Sequence, residues 1–208
     1  MAVCDAHYRF PLSTSGNSGR HSDGGVLSNS EFGKALEAGN LGMPSPTSLP
    51  GTGIEVPFVF VGDEAFSLQR NILRQCPGIN LADSKAIFNY RLSHARRIIE
   101  NSFGILTARW LIFRRPIIAS PDNVDIFIQA AIAQHNYLRT TQSTVCCSRG
   151  FSDAEDAAGN IIEGTWRSEV AGDNGLNGVC SLGSNMHSRS AAPVRNTFET
   201  ILCPLNER

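Results

Sequence analysis

The sequence predicts an α/β domain: a mixed sheet flanked by helices, followed by a tail of little regular structure. Three observations point there. The run Val56-Pro-Phe-Val-Phe-Val61 is continuously apolar and strand-length, as a buried central strand would be. From Phe88 to Trp110 apolar residues recur at helical spacing. Beyond Thr141 the chain is rich in Gly, Ser and Asn with scattered apolar residues. With 208 residues, 41% of them hydrophobic, the chain has enough apolar surface for a core, which we place in residues 1–141, with residues 142–208 mostly disordered.

Two short strands open the chain, Ala2-Val3-Cys4 and Tyr8 to about Leu12, separated by Asp5-Ala6-His7. Pro11 cannot donate to a ladder, so the second strand belongs at an edge. Gly16 to Gly25 reads as a glycine-rich loop, after which Ser28 or Ser30 can cap a helix reaching Ala38. A long loop over 39–55 leads to the apolar strand, which Gly62-Asp63 ends. Leu68 to Cys76 reads as a short helix stopped by Pro77-Gly78. The principal helix starts at Asp83 or Ser84 with Phe88, Leu92, Ala95, Ile99, Phe103, Leu106 and Trp110 as its apolar stripe. A second helix, capped by Asp122 or Asn123, runs to about Arg139, with His135 on its apolar side as a packed core residue. In the tail, Trp166 is a docking point.

Composition excludes several classes of function. No apolar run approaches the roughly 20 residues that span a bilayer, and charged residues by Arg9 argue against a signal peptide. The six cysteines form no C-x-x-C pair, so a zinc ribbon is disfavoured and a reducing compartment fits. The net charge of −1 conceals an asymmetry: seven basic residues against one acid lie between Lys85 and Arg115. Such a segment suits a polyanion, or is simply a solvated helix face.

Asp5 follows the first strand, Asp63 follows the apolar strand, and Glu100 sits midway along the basic helix. If the first and third strands are parallel neighbours, both aspartates leave the same sheet edge and the helix can bring the glutamate to them. Three converging carboxylates require a cation, and oxygen-only ligands select Mg²⁺ or Mn²⁺. Two such ions about 3.5–4 Å apart serve in-line phosphoryl transfer. Spacing alone does not establish this, because acids in such places are common. Asp63 could merely cap its turn, Glu100 could pair with Arg96 or Arg97 along the helix, and Asp23 reads as a turn former.

The surrounding residues carry more weight. Asp5-Ala6-x-Tyr8-Arg9-Phe10, Gly19-Arg20-x-Ser22-Asp23-Gly24-Gly25 and Phe58-Val-Phe-Val-Gly62-Asp63-Glu64-Ala65-Phe66 form a distinctive series. It continues with Phe88-Asn89-Tyr90-Arg91-Leu92-Ser93-x-Ala95-Arg96-Arg97-x-x-Glu100-Asn101-x-Phe103-Gly104, Arg109-Trp110 and His135-Asn136-Tyr137-Leu138. Over residues 1–141 the chain resembles the DDE transposase superfamily of PIF/Harbinger elements and the nucleases derived from them. The resemblance implies an RNase H-like fold, an acidic metal-binding triad of Asp5, Asp63 and Glu100, and metal-dependent cleavage and strand transfer of DNA in the nucleus. Arg91, Arg96 and Arg97 are then expected at DNA phosphates. It also implies an upstream helix-turn-helix part, so the domain is expected to be truncated at its first strand, with a separate DNA-binding protein supplying the missing module. The alternative is a catalytically inactive remnant that binds DNA or a protein partner.

Overall fold

The principal helix forms where the apolar repeat predicts it, and the other elements arrange themselves in two units of the computed structural model, which describes residues 1–16, 21–49, 51–172 and 190–203. The first unit comprises Met1–Asn17 and Arg97–Cys180, the second Ser18–Arg96 and Ser181–Arg208. In chain order the elements are β1 (Ala2–Val3), β2 (Leu12–Ser13), α1 (Asp23–Asn29), α2 (Glu31–Glu37), β3 (Thr47–Ser48), β4 (Glu55–Val56), β5 (Phe60–Val61) and β6 (Ile72–Leu73). They continue with α3 (Asp83–Arg109), a 3-10 turn (Leu111–Arg114), α4 (Pro121–Thr141), α5 (Ser143–Cys146), β7 (Ala154–Glu155), β8 (Ile161–Ile162), α6 (Trp166–Val170) and α7 (Ala191–Leu202). The class is mixed α/β.

In the first unit β1 pairs antiparallel with β2, Val3 opposite Leu12, so the second strand begins later than the sequence predicts. Phe10, Leu106 and Ile132 are buried together, with Ile99, Trp110 and Ile128 packed around them. The predicted stripe of α3 holds at Leu106 but not at Phe103, which is 39% exposed, while Asn101, Ser102 and Ile105 are buried. Arg114 ends this helix by donating to the carbonyls of Thr107 and Ala108, two acceptors that the last turn cannot satisfy internally. Helix α4 starts with Pro121 in its first turn, where a missing N–H costs nothing, and Ser120 precedes it in place of the expected Asp122 or Asn123.

In the second unit the apolar run does not form one strand. Pro57 has no N–H to give to a ladder and splits it: β4 pairs antiparallel with β3, and β5 pairs parallel with β6. The expected helix at Leu68–Cys76 is corrected to the chain around β6, with Phe60 and Gly62 donating to the carbonyls of Asn71 and Leu73. A short apolar run suits either structure, and here the sheet partner decides. Helix α1, capped by Ser22, begins inside the stretch expected to be a glycine-rich loop, whereas the helix expected from a Ser28 or Ser30 cap to Ala38 is α2, where Ser30 adopts an extended backbone and its hydroxyl caps the Gly33 amide. Gly33 is required at that corner, since a Cβ there would stand 1.9 Å from the Leu27 carbonyl oxygen.

The chain after Thr141 carries more structure than its composition predicts. Helix α7 buries Ala191 and Phe198 with Val56, Leu68, Leu73, Phe88 and Leu92 of the second unit's core. In the first unit, the β7–β8 hairpin and α6 fold back on α3 through a polar lock. Asn101 exchanges two hydrogen bonds with the backbone of Asp153, at 2.9 and 3.3 Å, and accepts a third from Trp166 Nε1. Asp153, fully buried at its side chain, receives Arg167 through two nitrogens and the Gly164 amide through one. Residues 173–189 and 204–208 of the expected disordered tail lie outside the described residues.

Trp166 lies against Gly104 so closely that a Cβ there would meet ring carbons at 2.3–2.6 Å. Gly104→Ala should therefore destabilise the first unit although alanine favours helix by about 1 kcal/mol over glycine. The overpacking cost is about 1–3 kcal/mol. Urea unfolding followed by tryptophan fluorescence should show a lower midpoint; an unchanged or higher one would mean that the indole does not pack there.

Candidate active site

Asp5 lies two residues beyond the end of β1, on a turn built by its own carboxylate. Oδ1 accepts the His7 and Arg9 amides at 2.8 and 3.0 Å, and Oδ2 takes Arg9 Nε at 2.8 Å and a second guanidinium nitrogen at 2.7 Å. The partial burial of this carboxyl acts to raise its pKa, but the Arg9 side chain and the two amides outweigh it and hold it below the usual range. Arg9 belongs to the residue series that carries the family resemblance; its spacing of four residues from Asp5 is the signal that could have marked it as a partner.

The turn is held from one side by α4. His135 Nε2 lies 2.6 Å from the Tyr8 carbonyl, Asn136 exchanges two 2.8 Å hydrogen bonds with the backbone of Phe10, and Arg139 Nε donates to the His7 carbonyl at 3.1 Å. Tyr8 has φ of 62°, a left-handed conformation that costs a bulky residue about 1–2 kcal/mol. Such a conformation persists where its surroundings over-determine it. The reading of His135 as a packed core histidine stands: it is fully buried between Phe10 and Trp110. The parts played by Asn136 and Arg139 were not read from the sequence.

Asp63 stands two residues beyond β5 and repeats the local geometry of Asp5, its Oδ1 accepting the Ala65 amide at 2.9 Å. It belongs to the second unit, whereas Asp5 and Glu100 belong to the first. Glu100 is exposed on α3, and its charge helps to raise the pKa of Arg167, after the larger effect of Asp153. Asn89 and Ser93, polar residues of the same helix, hold a loop of the second unit. Asn89 exchanges hydrogen bonds of 2.7 and 2.9 Å with the backbone of Cys76, and Gln75 donates to Ser93 at 2.6 Å. The Arg97 side chain is 12% exposed and faces Glu155 at 3.5 Å. Arg91 is exposed and Arg96 half-buried.

Carboxylate oxygens are the right donors for a hard divalent cation, so the three acids fit such an ion in kind. Among the described residues no group of three or more His, Cys, Asp or Glu side chains is gathered to hold one. At Asp5 the four donors already fill the carboxylate's roughly four lone-pair positions, and a cation must displace Arg9 to bind there. The five described cysteines form no disulfide, and no helix of the described residues is long and apolar enough to cross a membrane.

A family model described as DDE superfamily endonuclease matches residues 1–136, a span that contains Asp5, Asp63 and Glu100. The chain belongs to this family of transposase-type nucleases, which typically use divalent metals and act on DNA. No curated protein and no solved structure matches it.

His135 gives the unit a pH dependence. Burial pushes its imidazole below the ordinary 6.5, the hydrogen bond with Tyr8 acts the other way, and the charges of Arg139 and Arg109 lower it further. A carbonyl only accepts, so Nε2 carries the proton, and Nδ1 is buried with no partner among the described residues. The unfolded chain takes up a second ring proton near pH 6.5 while the folded chain resists it. Stability is therefore unaffected above that pH and falls as pH drops below it, until the folded ring also protonates. The depressed carboxyls of Asp5 and Asp153 act in a lower window, below about pH 4. Thermal midpoints should decline between pH 7 and 5, and His135→Gln should flatten that decline; equal slopes in both proteins would contradict the assignment.

Proposed function

We propose that this chain is a PIF/Harbinger-type DDE nuclease that hydrolyses DNA phosphodiester bonds in the nucleus. Asp5, Asp63 and Glu100 are its catalytic acids and the ligands of Mg²⁺ or Mn²⁺. The observation that carries the reading is the family match over residues 1–136, which includes all three acids. The local geometry supports it: both aspartates sit two residues past a strand end on turns closed by their own Oδ1.

When bound, paired divalent ions neutralise phosphate charge and lower the pKa of a nucleophilic water. The chain's own residues provide placement and charge. Asp5, Asp63 and Glu100 offer oxygens from three separate elements, while Arg9 neutralises Asp5 until a cation replaces it. Arg91 and Arg96 bind phosphates flanking the cut. Arg97 joins them by leaving Glu155. Water is the nucleophile in cleavage and a DNA 3′-hydroxyl in strand transfer, with no covalent protein intermediate. A second reading, an inactive fold that retains DNA or a protein partner, draws on the saturation of Asp5 by N–H donors.

Plasmid nicking by the full chain in Mn²⁺ decides between them. Asp63→Asn should reduce nicking by about 100-fold or more, because loss of a ligand exceeds the ~10–100-fold effect of groups that only support ligands. Nicking that persists at the wild-type rate in Asp63→Asn would refute the triad, and a wild-type chain that retains DNA but never nicks it would favour the inactive fold. DNA affinity tests the arginines separately. Arg91→Gln with Arg96→Gln should lower the slope of log affinity against log salt by about 2, near 0.9 for each phosphate no longer neutralised. An unchanged slope would remove both residues from the DNA surface.

A further inference from the structure

Three side chains of α4 end on the main chain of the turn that carries Asp5. Positions 135, 136 and 139 share one face of the helix. They engage the carbonyls of His7, Tyr8 and Phe10 and the amide of Phe10, and the Arg139 guanidinium also covers the Tyr8 ring at 5.2 Å. The turn passes this constraint on to Asp5. The Asp5 amide donates to the Arg9 carbonyl at 2.9 Å and the Tyr8 amide to the Asp5 carbonyl at 3.1 Å. The His7 and Arg9 amides both end on Oδ1 of the Asp5 carboxylate. From α4 to that carboxylate the path is one backbone segment and one hydrogen bond.

Packing alone does not require these residues. A buried helix face is served at lower cost by apolar side chains, whereas His135 is fully buried with Nδ1 unpartnered among the described residues. The backbone they hold contains a tyrosine in the left-handed region. An unsatisfied nitrogen and an unfavourable backbone thus occur together, beside the one acid of this turn.

We infer that His135, Asn136 and Arg139 are positioning residues for Asp5. They fix the main chain of residues 7–10, and through the His7 and Arg9 amides they fix the carboxylate in the orientation in which it meets a divalent cation. The inference rests on the reading of Asp5 as a metal ligand. It also gives Arg9 a defined place: the same frame holds the guanidinium on Oδ2, the oxygen that the cation takes when the arginine moves aside.

The test uses the full chain and four variants. Asn136→Asp is nearly isosteric; it replaces the donor to the Phe10 carbonyl with a carboxylate oxygen and adds a negative charge. Arg139→Gln alters an exposed contact and leaves the core intact. His135→Leu removes the donor to Tyr8, and His135→Gln restores one. The first measurement, made without metal, is amide hydrogen exchange. Exchange at residues 7 and 9 should speed up about 10-fold or more in Asn136→Asp, Arg139→Gln and His135→Leu, while amides in the middle of α3 keep their wild-type protection. It should return toward wild type in His135→Gln. Unchanged exchange at residues 7 and 9 in folded Asn136→Asp and Arg139→Gln overturns the inference. The second measurement is Mn²⁺ binding, read from the electron paramagnetic resonance signal of the free ion. The same three variants should bind about 10–100-fold more weakly. Mn²⁺ bound equally well by wild type and variants overturns the positioning role alone; a wild-type chain that binds no Mn²⁺ overturns the reading of Asp5 as a ligand, and the inference with it.

Discussion

Much of this structure depends on helix asparagines that take the place of strand partners. The named strands are two residues long, and such strands leave most neighbouring backbone groups without a ladder. Asn89 and Asn101 on α3 and Asn136 on α4 each give one acceptor and one donor to a single loop residue, respectively Cys76, Asp153 and Phe10. This two-way exchange is what a residue on a facing strand would provide. Each hydrogen bond contributes about 0.5–1.5 kcal/mol net, but a buried backbone group left unmade costs about 1–3 kcal/mol. Removing one such amide strands two groups at once.

The chemistry of the site follows from that arrangement. The two aspartates are on turns, not within strands, so their carboxylates are only as well placed as the turns themselves. At Asp5 the turn is closed from within by Oδ1 and held from outside by α4, and Arg9 compensates the charge. A carboxylate so held stays ionised at neutral pH, which is the state a cation requires. At Asp63 the same Oδ1 closure appears with one amide. The basic segment from Lys85 to Arg115 is divided in its roles: Arg97 faces Glu155 and Arg114 caps α3, while Arg91 remains exposed to solvent. A run of positive charge in a sequence therefore overstates the surface available to DNA.

The parts of the fold legible in the sequence are those governed by apolar periodicity and hydroxyl caps. Helices α3 and α4, the cap at Ser30, the first strand and the buried His135 follow from such patterns. The pairing of β5 with β6 does not, because two residues carry no alternation and Pro57 breaks the run that looked like one strand. The packing of the chain beyond Thr141 was foreshadowed only by Trp166. Its lock is polar, made by Asn101, Asp153 and Arg167, and polar residues on a helix look solvent-facing until their partners are known. For the proposed site, the residue series around the three acids is what singles them out in the sequence. The supporting side chains were visible in that series as Arg9 and Asn136, but their partners lie 4 and 126 residues away, and no spacing rule reaches the second.

Counting bound ions tests the account most directly. Mn²⁺ titrated into the full chain with a short DNA duplex present should saturate at two ions per chain, with the spin–spin coupling of neighbouring ions in the resonance spectrum, and Glu100→Gln should remove the coupling. A chain that binds no Mn²⁺, or whose bound Mn²⁺ is the same after Glu100→Gln, would contradict the account.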